Sequence, residues 1–261
     1  MVKKMKKIII VLFSLLFLVS CQKTGGGNLE DIKKRGYITV AMEGTWQPWT
    51  YHNEENELVG YDVEVGKLIA DYLGVDVQYV EGEWDGLLEG VKAGRYDMLV
   101  NGCGVTEERE RSYDFSIPYA YDIIAVITSG DNKDINSMED LNGKNTANTI
   151  TSTYAKVAEK YGAKVTPVDD LNKTFLLLDR GDIDATLNAL VTYNDYMKAN
   201  PSSNFKVACL YDESQPIAIA MKKGSSELKQ LVDEAITKAS EEGKLSELSN
   251  KYFEIDISKV N

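Results

Sequence analysis

Residues 83 to 119 read EWDGLLEGVKAGRYDMLVNGCGVTEERERSYDFSIPY, and this stretch sets the class of the fold. Leu87, Leu88 and Val91 recur at helical spacing and Gly94 closes the pattern, so a helix is expected. Residues 96–100 follow as a short run of strand length. Residues 101–109 then lie beyond the carboxyl end of that strand, the edge at which open α/β sheets hold ligands. Gly102 and Gly104 remove side chains that would keep a small molecule off the backbone. Arg109 offers a guanidinium that is always charged and matches a carboxylate as a bidentate fork, which lysine does not. On spacing alone two readings stand, a carboxylate clamp or a glycine turn with a solvated arginine.

The alternation continues in both directions. Upstream, Tyr37–Met42 is expected as a strand, Tyr61–Leu73 as an amphipathic helix ended by Gly74, and residues 75–80 as a strand. This order implies parallel pairing through right-handed crossovers. Asp62 is expected to cap its helix, since an aspartate there satisfies free backbone N–H groups. Downstream, residues 120–128 form a β-branched run without a turn signal, and Ser137 with Asp140 makes a capping-box pattern. Strands are expected at 144–148, 164–168 and 183–188, with helices at 153–161 and Leu171–Asp179 between them. A second apolar run covers 215–222, and helical patterns at 226–242 and Lys244–Phe253 close the chain.

The N-terminus reads as a leader. Lys3, Lys4, Lys6 and Lys7 are basic, residues 8–19 are apolar except Ser14, and Leu18-Val19-Ser20-Cys21 reads as a lipobox. Residues 1–20 are therefore expected to be a lipoprotein signal peptide and Cys21 to carry lipid, with 21–28, including three consecutive glycines, as a flexible tether. The apolar run is shorter than the ~20 residues of a membrane-spanning helix. Loss of the four lysines takes the formal charge from −12 to about −16. That balance argues against nucleic acid and against electrostatic docking on an anionic membrane, leaving attachment to the lipid. About 240 residues remain, enough for one or two domains with a full core. Of three cysteines, Cys103 and Cys209 are left, neither with a partner at metal-ligand spacing, and His52 is the only histidine. Neither a metal site, nor a cofactor, nor histidine-based catalysis is expected.

The pattern GxxxTEERExxYDFSxPY at 102–119, with EGTWQPW at 43–49 and ELVGYDVEV at 57–65, resembles the extracytoplasmic solute-binding proteins that feed polar amino acids to ABC transporters. The likeness runs from about residue 29 to the C-terminus, and EGTW, EWDGLL and TEERERSYDFSIPY are most similar to the cystine-binding branch. The resemblance implies an α/β, periplasmic-binding-protein-like type II fold: two α/β lobes joined by two crossover strands, with the ligand cleft between. Lobe one would comprise 29–121 and 216–261, lobe two 122–215, and Cys103 and Cys209 would lie apart, both free. Trp46 and Trp84 would sandwich the ligand's side chain and Glu43 would read a polar group, with Trp49 in the core.

An amino acid presents a carboxylate, an ammonium and a side chain. Arg109 suits the carboxylate, aided by the Gly104 N–H and by the helix start at Ser152 and Thr153. The ammonium is where this chain departs from the pattern. Many relatives carry an aspartate at the end of the DAxL strand, but DATLNAL places Asn188 and Ala189 there, leaving the Gly102 carbonyl, Asn188 and Asp122 as candidate acceptors. The reading is thus a monomeric, lipid-anchored receptor that closes on a polar amino acid, cystine favoured, and presents it to a transporter permease. The alternative of a cleft enzyme, similar to prephenate or arogenate dehydratases, would cast Glu43 or Asp85 as general acid. A sensory domain, the third class, would be expected to continue into a transmembrane and signalling region.

Overall fold

The computed structural model describes residues 28–260, so the expected signal peptide, the Cys21 lipid site and most of the tether lie outside the described residues. Asn28, assigned to the tether from sequence, instead caps the helix Leu29–Arg35, its side chain accepting from the Glu30 N–H at 3.0 Å.

The chain folds as two lobes on one plan. In the first, Tyr37–Met42 lies between Asp76–Glu81 and Met98–Leu99, parallel to both. Ala220–Lys222, from near the C-terminus, inserts antiparallel between Met98–Leu99 and Tyr113–Phe115. The second lobe repeats the order. Asn145–Asn148 pairs in parallel with Lys164–Pro167 and touches the next strand through a Thr146–Ala185 bridge. Ile124–Ser129 lies antiparallel between Thr186–Ala189 and Phe205–Leu210. Between the lobes, Ala120–Asp122 and Gln215–Ile217 form an antiparallel pair, so the polypeptide passes across twice, side by side.

Boundaries follow local chemistry. The helix Tyr61–Leu73 ends where Gly74 takes the left-handed conformation, and Leu171–Asp179 starts at Asp170, whose carboxylate accepts from the Lys173 N–H. The expected strand at 96–100 shrinks to Met98–Leu99 because Asp97 turns its side chain to the Thr39 N–H at 2.7 Å and to Arg35. The run at 120–128 is two strands, broken at Ile123. Ser137 and Asp140 enclose a 3-10 turn, Glu139–Leu141, rather than starting an α-helix. The helix Leu190–Ala199 follows directly on a strand, without a turn signal that would announce it.

Each sheet is buried by helices. Ile38, Val40 and Met98 pack with Ile69, Val232 and Ile236 in the first lobe, and Val126 and Leu187 with Leu141 and Val157 in the second. Trp49 is fully buried, stacks on Trp46 and donates Nε1–H to Thr192 Oγ1 of the second lobe at 3.1 Å.

Gly60 precedes the Tyr61 helix at φ +135°, and a Cβ there would overlap the Trp49 carbonyl oxygen. Gly60→Ala is expected to cost about 3 kcal/mol, whereas Gly74→Ala, with open space around it, should cost about 1 kcal/mol. Urea unfolding midpoints read both, and equal losses would show that the Trp49 contact is relieved at no expense.

Candidate functional site

The turn after Met98–Leu99 is stitched to the returning strand. Ala218 N–H donates to the Cys103 carbonyl and Val105 N–H to the Pro216 carbonyl, at 3.0 and 2.9 Å. A four-residue helix, Glu107–Glu110, then begins at Thr106, whose hydroxyl accepts from the Arg109 N–H at 3.2 Å. This short cap holds Arg109 facing the second lobe.

Arg109 is 9% exposed, and its guanidinium donates to the Gly104 carbonyl from Nη1 and to the Thr151 carbonyl from Nη2, both at 2.8 Å. It lies over the Trp84 ring at 5.0 Å, a cation–π contact. No ion pair among the described residues involves Arg109. Thr151 is gripped further: its hydroxyl accepts from Trp84 Nε1–H at 3.0 Å and donates to Asp85.

Behind this contact the lobes enclose a cavity of about 70 Å³. Glu43, Trp46, Trp84, Gly102 and Arg109 line it from the first lobe, and Ser152, Thr153 and Asn188 from the second. Gly104, expected to aid the carboxylate, stands outside the wall, its carbonyl taken by Arg109 and its α-carbon facing Thr153, whose methyl would lie 3.0 Å from a Cβ. At Gly102, φ +52°, a Cβ would overlap the Trp46 ring, so the space that glycine leaves is filled by tryptophan. Trp46 and Trp84 both border the cavity, but each is engaged elsewhere, one stacked on Trp49 at 5.2 Å and the other under Arg109. Ser152 caps the helix Thr153–Lys160 by accepting from the Ala155 N–H at 3.1 Å.

The acceptors expected from sequence are partly occupied. Asn188 Oδ1 accepts from the Ala189 N–H at 2.9 Å. Asp122 is outside the wall and accepts from the Tyr154 hydroxyl at 2.9 Å, with burial pushing its pKa up to about 7. Asp62 does not cap its helix. Its carboxylate turns across to the Gly102 N–H at 2.6 Å and the Tyr119 hydroxyl at 2.7 Å, fixing the turn that carries the site. Burial pushes Asp62 up to about 7, against the pull of those two bonds. Glu43 is also pushed up to about 7 by burial, opposed by a 2.7 Å bond from Asn101 and reinforced by Asp85 and Asp170. The sequence reading missed Asn101, Asn148, Tyr154, Asp169 and Asp170, which also line the cavity. Among these, Asn148 and Asp170 stand at strand and helix termini, a signal that was available.

The family of bacterial extracellular solute-binding proteins, family 3, matches residues 38–255. The chain belongs to this family. It is 36% identical over 269 residues to the L-cystine-binding protein TcyA of Bacillus subtilis, covering 98% of this chain and all of that one. It is 30% identical over 236 residues to the L-cystine-binding protein TcyJ of Escherichia coli, with 89% and 88% covered. The arginine-bound substrate-binding protein AbpA of Streptococcus pneumoniae superimposes with a TM-score of 0.80 at 28% identity, covering 88% of this chain and 100% of that one. The two-lobed architecture is therefore the type II periplasmic-binding-protein fold, as the resemblance implied, and the chain is extracytoplasmic by family.

A carboxyl whose folded pKa is raised stabilises the fold while protonated, and that contribution is lost as pH climbs from about 4 to about 7. Asp62→Asn keeps an oxygen for Gly102 and does not titrate. Its stability relative to wild type is expected to rise across that window, by about 1.4 kcal/mol per unit of raised pKa. Denaturant titrations at pH 4, 5.5 and 7 measure it, and a constant difference would place the slope elsewhere.

Proposed function

We propose that the protein is the lipid-anchored receptor of an amino-acid ABC importer, closing on a polar amino acid, cystine favoured, with Arg109 clamping its carboxylate. The observation that carries this reading is Arg109, 9% exposed, bordering an interlobe cavity and held by carbonyls of both lobes, with no carboxylate among the described residues paired to it. A buried cation is costly unless a negative group completes its shell. A ligand carboxylate supplies that charge, and the helix start at Ser152 adds a favourable dipole on the facing lobe. Cystine is favoured because the relatives TcyA and TcyJ are named for it.

Closure is the signal in this reading. A ligand that touches both lobes only when they are shut shifts the open and closed populations by its differential affinity. The shut form would then engage the permease as a monomer, tethered through lipid on Cys21. In this reading neither Glu43 nor Asp85 is given a catalytic part.

Arg109→Ala is expected to weaken binding by about 2–5 kcal/mol, since the ligand carboxylate would stay buried without its partner. Calorimetric titration with L-cystine tests it, and a variant that titrates like wild type removes the clamp. Cys21→Ala should abolish incorporation of radiolabelled palmitate into the full chain expressed in a bacterial host; undiminished labelling would move the anchor elsewhere.

A further inference from the structure

Three buried side-chain oxygens among the described residues have no hydrogen-bond donor in reach: Asp122 Oδ1, Thr146 Oγ1 and Asn148 Oδ1. Only Asn148 belongs to a residue lining the cavity. It is 5% exposed and stands at the end of the strand Asn145–Asn148. Its orientation is fixed, because Nδ2–H donates to the Leu187 carbonyl at 2.7 Å and a flipped amide would set oxygen against oxygen. A buried amide oxygen left unpaired is costly, so a group that completes it is bound at an advantage.

The surrounding charges say which group. Glu43, Asp169 and Asp170 line the same cavity, and Arg109 is its one lining cation among the described residues. Lys173 offsets part of the Asp169 and Asp170 charge at 3.7 and 3.4 Å. Asn188, the neighbouring amide, already accepts from the Ala189 N–H, and Ala189 offers no side-chain acceptor. We propose that Asn148 Oδ1 receives an N–H of the bound ligand, a protonated amine, while Arg109 on the other lobe holds its carboxylate. The assignment rests on the reading of the cleft as an amino-acid site and adds the acceptor that this chain uses in place of an aspartate.

The test is a calorimetric titration of wild type, Asn148→Ala and Asn148→Asp with L-cystine and with L-arginine. Both variants lose the Nδ2 bond to Leu187, and Asn148→Asp in addition sets a carboxylate oxygen against that carbonyl, so the structural penalty of the aspartate variant is at least as large as that of alanine. Asn148→Asp keeps an acceptor oxygen and is expected to bind near the wild-type level. Asn148→Ala is expected to lose on the order of tenfold or more in affinity. Melting curves establish that each variant is folded, and Asn148→Leu, closer in size, replaces alanine if that variant melts early. Equal weakening of the aspartate and apolar variants, or none in either, overturns the assignment while leaving the amino-acid reading standing. Wild type binding neither amino acid overturns both.

Discussion

One guanidinium joins the two halves of this molecule. Arg109 reaches from the first lobe to a carbonyl of the second while lying on Trp84 and bonding its own turn at Gly104. Carbonyl dipoles accept from two of its N–H groups without cancelling its charge, so the cavity keeps a positive pole that water barely reaches. Much of the surrounding structure serves to hold that pole still: the Thr106 cap, the stitching of residues 103–105 to the returning strand, and the buried Asp62 carboxylate beneath Gly102.

Thr151 is the counterpart on the facing lobe. Its carbonyl takes Arg109, and its hydroxyl takes Trp84 and gives to Asp85, so three side chains of the first lobe meet one residue of the second. Trp49 with Thr192 forms a separate contact between lobes. Apolar side chains join these polar contacts, since Ala189, Val191 and Tyr154 of the second lobe pack in one cluster with Trp46 and Trp49 of the first.

The fold was legible in the sequence wherever a residue's own chemistry ends an element. Gly74 marked its helix end correctly, because a left-handed glycine acts within one turn of chain. Elements whose limits depend on distant partners were misjudged, as at Asp97, which abandons its strand for Thr39 and Arg35. The same division holds around the cavity. Arg109, Glu43 and the two tryptophans stand in motifs that could be singled out, whereas Thr151 and Tyr154 meet Arg109, Trp84 and Trp46 only across the lobes. Asp62 is the instructive error: an aspartate at a helix start serves whichever buried N–H is unpaired, and here that N–H belongs to Gly102, forty residues along the chain.

The strand Ala220–Lys222 has a consequence for how the chain assembles. It fills the place between Met98–Leu99 and Tyr113–Phe115, so the sheet that begins with Tyr37 is completed almost last. A polypeptide emerging N-terminus first has every strand of the second sheet once Phe205–Leu210 has appeared, while the first sheet still shows open edges. The sheet of the lobe carrying Arg109 is therefore complete only once residues 220–222 have been made, after every strand of the other lobe.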